Sequence, residues 1–234
     1  MRRKEINERS PIRVLEASLH GGLGPGNIGV VVARHGVGKT AFLVGVALDD
    51  LMRGRKVLHV SLEHDADKVR AFYDEVFGDL AHERELEDVW KVRLETERNR
   101  RIHCYQGDTF SIDKLREALS FMREHGDFRP VTVMIDGFSF DQATSQQMAE
   151  LRALAVETDA ELWMSAVTHR EAVMNERGVP EPVAHLQGDI DVILRMAHDM
   201  KAVHVSLLKD HDNPEVSDLK LALDPTTMLL VKER

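Results

Sequence analysis

Apolar residues fall into two alternating rhythms along the first two thirds of this 234-residue chain. Short unbroken runs stand at 28–32, 57–62, 131–136 and 162–167, with a shorter one at 102–105. Between them apolar positions recur three and four apart: Val69, Phe72, Tyr73, Val76 and Phe77; then Ile112, Leu115, Leu119 and Met122; then Met148, Leu151 and Leu154. The unbroken runs predict strands covered on both faces, and the spaced ones predict helices with one apolar face. A further helix is predicted from the apolar stretch 41–48 to about Met52, with Gly54 where a C-terminal cap belongs. Gly126 closes the stripe that starts at Ile112.

Both ends of the chain depart from this alternation. Ile12, Val14, Leu15 and Leu19 follow a polar start and predict a strand or a short helix at the edge of the core. The turn-rich Gly21-Gly22-Leu23-Gly24-Pro25-Gly26-Asn27 then feeds the first core strand. Past residues 171–188, which are rich in turn formers, apolar runs at 192–196, 203–208, 219–223 and 228–231 follow one another without an intervening helix. The pattern therefore predicts an α/β fold: a mainly parallel sheet flanked by helices, with a C-terminal antiparallel β extension. No repeat, low-complexity tract or linker interrupts it, so one domain spanning 1–234 is expected.

The segment 81–101 is the most charged, with six acids (Glu83, Glu85, Glu87, Asp88, Glu95, Glu97) against six bases (Arg84, Lys91, Arg93, Arg98, Arg100, Arg101). Leu86, Val89, Trp90 and Leu94 keep helical spacing through it, which predicts a solvated helix laced with i,i+4 pairs. The sharper reading is a subunit or partner contact centred on Trp90.

Composition narrows the classes. No apolar run approaches the ~20 residues that span a bilayer, and the basic start Met1-Arg2-Arg3-Lys4 lacks the apolar segment of a signal peptide. Cys104 is the only cysteine, which excludes an internal disulfide and leads us to expect a cytoplasmic protein. Twelve histidines include no metal-binding spacing. A net charge of −9 argues mildly against a protein devoted to holding a nucleic-acid backbone, although a local basic groove would still be compatible with it.

The candidate chemistry begins where run 28–32 enters Ala33-Arg34-His35-Gly36-Val37-Gly38-Lys39-Thr40 and the helix follows. Strand, tight loop and helix form the setting of a Walker A loop, here with Ala33 in place of the usual first glycine. Gly36 and Gly38 let the backbone fold closely around a polyphosphate, and the helix start adds its positive end. Lys39 reaches the β- and γ-phosphates as a point charge, and the Thr40 hydroxyl ligates Mg²⁺. The candidate nucleotide-binding set is Arg34, His35, Gly36, Val37, Gly38, Lys39, Thr40 and Ala41. Asp136 closes an apolar run, which puts it at the C-terminal edge of a parallel sheet as a metal ligand with Thr40; the plainer alternative is a turn cap with Gly137. Because Gly137 rather than Glu follows Asp136, the base that polarises water is sought at Glu63, with Asp65 as its competitor.

These motifs resemble the RecA superfamily of P-loop ATPases, most of all its KaiC-like and DnaB-like branches. The likeness is carried by Gly21-Gly22-Leu23-Gly24-Pro25-Gly26, the phosphate loop, Gly54-Arg55-Lys56-Val57-Leu58-His59-Val60-Ser61-Leu62-Glu63 and the strand into Asp136. It continues in the strand ending at Arg170 and in the hairpin 203–208 with Lys209 and the Asn213-Pro214 turn. It covers roughly residues 12–231, with a diverged charged helical insertion at 80–110. The resemblance implies a RecA-like core, ATP and Mg²⁺ as cofactors, Glu63 and Lys39 as catalytic residues, and a homo-oligomer, a hexamer being favoured, with ATP between subunits. It implies that Lys209 acts in trans, with His211 where an arginine is common. A neutral His lacks the planar charge of an arginine finger, so hydrolysis is expected to be slow. At the strand end Ser165–His169, where helicase-like members carry a γ-phosphate-sensing Gln, His169 is the candidate sensor.

Three roles follow. A regulatory ATPase that switches contacts with a protein partner is favoured by the acidic charge and the glycine-rich loop. A DNA-stimulated motor or recombination ATPase is favoured by Ser61-Leu62-Glu63 and the Lys209 hairpin, and disfavoured by a loop 171–188 holding Glu171, Glu176 and Glu181 against Arg177. A non-hydrolysing nucleotide-binding scaffold is third. A small-molecule kinase is a distant fourth, since no arginine-rich lid is present.

Overall fold

The computed structural model describes residues 1–199 and 202–233, with all their side chains except that of Asp108. Two short helices, α1 (Arg3–Glu8) and α2 (Ile12–Ser18), open the chain. Then β1 (Ile28–Ala33), α3 (Lys39–Met52), β2 (Val57–Ser61), α4 (Ala66–Glu83), α5 (Val89–Arg98) and β3 (Arg100–Cys104) alternate with α6 (Ile112–His125), β4 (Thr132–Asp136), α7 (Ser145–Thr158) and β5 (Glu161–Val167). The chain closes with β6 (Val192–His198), β7 (Val203–Asp210), β8 (Leu221–Leu223) and β9 (Leu230–Lys232).

These strands form one sheet in the order β3-β2-β4-β5-β1-β6-β7-β8-β9. The block from β3 to β6 is parallel, and β7, β8 and β9 add antiparallel to its end. The run at 192–196, grouped by sequence with the antiparallel extension, thus completes the parallel block through β1, with Val30 opposite Ile193. Parallel strands need both faces covered. Val31, Val57, Met134 and Trp163 pack on one face with α3 and α4, while Val30, Leu58, Ile135 and Met164 pack on the other with α6 and α7. That double cover is why the strand sequences are apolar without alternation.

The spaced stripes sit as expected: Val69, Tyr73, Val76 and Phe77 are buried on α4, Ile112, Leu115, Leu119 and Met122 on α6, and Met148, Leu151 and Leu154 on α7. The phase predicted for 86–94 is corrected. The helix breaks at 84–88, where Glu85 (φ 47°) and Asp88 (φ 53°) take left-handed conformations, and α5 restarts in a different phase. Its buried residues are Val92 and Thr96, whereas Val89 and Trp90 face solvent, Trp90 being 75% exposed. The expected charge lacing is present: Arg93 pairs with Glu97 at 3.2 Å and with Asp74 of α4 at 2.8 Å.

Register brings the candidate groups to one edge. Ala33 lies opposite Val167, and Ser61 lies opposite Asp136, so the carboxyl ends of β1, β2, β4 and β5 meet there. Strand β2 ends at Ser61, two residues short of Glu63, which follows in a bend.

Candidate functional site

The loop between β1 and α3 turns on two glycines in the left-handed region, Gly36 (φ 73°) and Gly38 (φ 105°), where other residues would be strained. Gly38 is also needed for space, since a Cβ there would sit 2.7 Å from Leu223 Cδ2. The β8 strand of the extension therefore packs directly on the phosphate loop. Side chains cap α4 (Asp65), α6 (Ser111) and α7 (Thr144), but none caps α3. Its first-turn amides, with the positive end of the helix dipole, are left for an anion.

Lys39 opens α3 and is buried, with its Nζ donating to the Arg34 carbonyl at 3.3 Å. Burial lowers its pKa, and the negative charges of Glu63 and Asp136 work the other way. Thr40 follows, and its hydroxyl donates to Asp136 Oδ2 at 2.7 Å. Asp136 is almost wholly buried at the end of β4. Its other oxygen, Oδ1, accepts from the Ser165 hydroxyl of β5 at 2.5 Å, and Ser165 Oγ in turn accepts from the Gly137 amide at 2.9 Å. Alternation along the strands explains the meeting: Met134 pairs with Trp163, so two residues on Asp136 and Ser165 share the face towards α3.

Gly137 has φ 87°, and a Cβ on it would fall 2.4 Å from Glu63 Cγ. The space that a side chain after Asp136 would fill is occupied by Glu63, which accounts physically for a glycine at this position. Leu62 fixes that approach by donating its amide to the Asp136 carbonyl at 2.9 Å. One layer below Ser61, His59 is fully buried with Nδ1 3.2 Å from the Tyr73 hydroxyl. Burial pushes its pKa down to about 4, the Asp136 charge opposing, so the ring is neutral near pH 7.

Of the remaining candidates, Arg34 and His35 are exposed, Val37 is half-buried, and Ala41 is buried on α3. Thr168 donates its amide to the Ala33 carbonyl at 3.0 Å, and this holds the end of β5 beside the loop. His169 thereby lines an open cleft of about 540 Å³ with Arg34 and His35, faced by Pro225 and Met228 of the extension.

Lys209 and His211 are not brought to this place. Asp210 pairs with Val192 and Val192 with Gly29, so both residues lie at the amino-terminal end of β1, roughly 13 Å along the strand from the loop. Lys209 Nζ donates to the Gln187 carbonyl at 2.7 Å and to that of Ile190. His211 bridges Asp210 Oδ1 (2.8 Å) and the Leu23 carbonyl (3.0 Å). Burial disfavours its charge, but these two acceptors and the charges of Asp210 and Asp191 outweigh that and raise its pKa. The histidine is not the neutral ring expected from sequence.

Sequence reading passed over Ser165 except as a missing glutamine, and did not anticipate Leu223 and Met228 at the loop. A polar residue inside an apolar strand was the available signal for the first; the second had none, since two more apolar residues in a β run look like any others.

A parallel block with helices on both faces, a phosphate loop after its central strand and a buried acid two strands away define a RecA-type P-loop ATPase domain. The chain belongs to the AAA domain family, which it matches over residues 3–170. It is similar to the DnaB-like replicative helicase of Enterobacteria phage T4, with 28% identity over 189 residues, 69% of this chain and 39% of the relative. The chain thus spans about two fifths of that relative's length. Among solved structures, an isolated ATPase domain matches with a TM-score of 0.68, at 20% identity over 92% of this chain and 87% of that one, a likeness of fold. No helix among the described residues is long and apolar enough to cross a membrane.

Proposed function

We propose that the chain binds Mg²⁺-ATP at the loop 34–41 and hydrolyses it as the ATPase of a DNA-handling motor of the helicase or recombination type. The observation that carries the nucleotide chemistry is the Thr40–Asp136 pair, 2.7 Å apart at the uncapped start of α3. Hydroxyl and carboxylate oxygens are the donors Mg²⁺ takes, so the residues fit the ion, with Thr40 as direct ligand and Asp136 holding it through water. When bound, Mg²⁺ neutralises charge on the β- and γ-phosphate oxygens. Lys39 supplies the fixed cation, and the α3 amides cradle the phosphates. Glu63 accepts a proton from the attacking water. Pro225 and Met228 offer an apolar wall on which a base can rest.

The similarity to a DnaB-like replicative helicase supports the motor over a regulatory switch. In this reading residues 1–234 act as one RecA-like domain of a ring, a hexamer being favoured, and Lys209 and His211 turn to a neighbour's nucleotide. His169 senses the γ-phosphate. The regulatory reading keeps one observation of its own: Lys209 and His211 are tied within their own subunit, and a nucleotide-dependent release of those ties would be a switch read by a protein partner.

Steady-state Mg²⁺-ATP hydrolysis with and without single-stranded DNA separates them. Marked stimulation by DNA supports the motor. Slow turnover indifferent to DNA supports the regulatory ATPase, and nucleotide binding without turnover supports a scaffold.

A further inference from the structure

Ser165 has no task in the mechanism above, yet its hydroxyl touches two parts of the site. We infer that Ser165 is a positioning residue that aims the Asp136 carboxylate at Mg²⁺, an inference that rests on the Mg²⁺-ATP reading. A carboxylate turns easily about its last torsion. Thr40 restrains Oδ2 only while its hydroxyl donates there, and a hydroxyl that ligates a cation shares its oxygen with that cation. The Ser165 hydroxyl is the restraint that metal binding leaves untouched. Its direction is set as well: accepting from the Gly137 amide at 2.9 Å leaves its proton for Asp136 Oδ1 at 2.5 Å. Both side chains are almost wholly buried, at 2% and 1% exposure, so water cannot replace the bond when it is lost. Hydrogen-bonded partners of this kind behind metal ligands change metal affinity on the order of 10- to 100-fold. The same hydroxyl holds the backbone of Gly137 against Glu63, so one group serves the metal and the water-activating acid together.

The test is the affinity for ATP as Mg²⁺ is titrated, with EDTA giving the metal-free value, in the unaltered chain and in Ser165→Ala and Ser165→Thr. Ser165→Ala is expected to raise the half-saturating Mg²⁺ concentration about tenfold or more while leaving metal-free ATP affinity unchanged, and Ser165→Thr, which keeps the hydroxyl, restores the response. An unchanged Mg²⁺ half-point in a folded, ATP-binding Ser165→Ala overturns the inference. So does a parallel loss of metal-free affinity, which marks general damage. If Ser165→Ala does not fold, Ser165→Cys, of similar volume but a weak donor, must shift the half-point in the same direction or the inference fails. Absence of ATP binding by the unaltered chain overturns the nucleotide reading itself and the inference with it.

Discussion

Lys39 and Glu63 sit on either side of the Thr40–Asp136 pair and are proposed to do different work. Lys39 is buried at the start of a helix that no side chain caps, where a cation meets phosphate without strong competition from water. Lys39→Ala is expected to weaken ATP binding on the order of 100-fold, read by nucleotide titration; unchanged affinity would remove Lys39 from the site. Glu63 is exposed, rests in the gap left by Gly137, and carries no bond on which the fold depends. Glu63→Gln keeps the shape and removes the base, so binding should persist while turnover falls roughly 10²- to 10⁴-fold. Equal turnover would transfer the role to Asp65 or elsewhere.

Among the elements, α5 and the end of β7 make the sharpest predictions. Helix α5 buries Val92 and exposes Trp90, the reverse of what spacing from Leu86 suggests. Val92→Ala is expected to cost about 2 kcal/mol in chemical denaturation, whereas Trp90→Ala should stay within about 0.5 kcal/mol. The opposite ranking would restore the sequence phase. At the end of β7, His211 ties Asp210 to the loop at Leu23. Its folded pKa is raised above the ordinary 6.5. The stability it contributes is therefore full below about pH 6.5 and is lost as pH rises through the raised value. His211→Ala should lower the melting temperature more at about pH 6 than at about pH 9, and an equal loss at both would show that its charge plays no part.

For the whole molecule, the nine-stranded order decides what one copy can do alone. Lys209 and His211 lie at the sheet edge away from their own phosphate loop, so a role at a γ-phosphate requires a second copy. Light scattering with Mg²⁺-ATP present is expected to give a multiple of the chain mass, a hexamer by the family likeness. A monomer under those conditions would confine both residues to their present work of bracing the loops at 187–190 and 23.

Sequence alone determined what depends on neighbours in the chain. Periodicity set the helices and the two-sided strands because burial repeats with the geometry of each element. Spacing set the phosphate loop and placed Asp136 at a strand end, since each needs only a few adjacent residues. Tertiary structure alone decided what depends on register between distant segments: that Ser165 meets Asp136, that β6 joins β1, that Gly137 leaves room for Glu63, and that Lys209 is tied to 187 and 190. It also decided the phase of α5, because the break at Glu85 and Asp88 uses left-handed backbone at residues that are not glycine. Nothing local marks such a break; packing of Leu86 and Val92 into the core holds it in place.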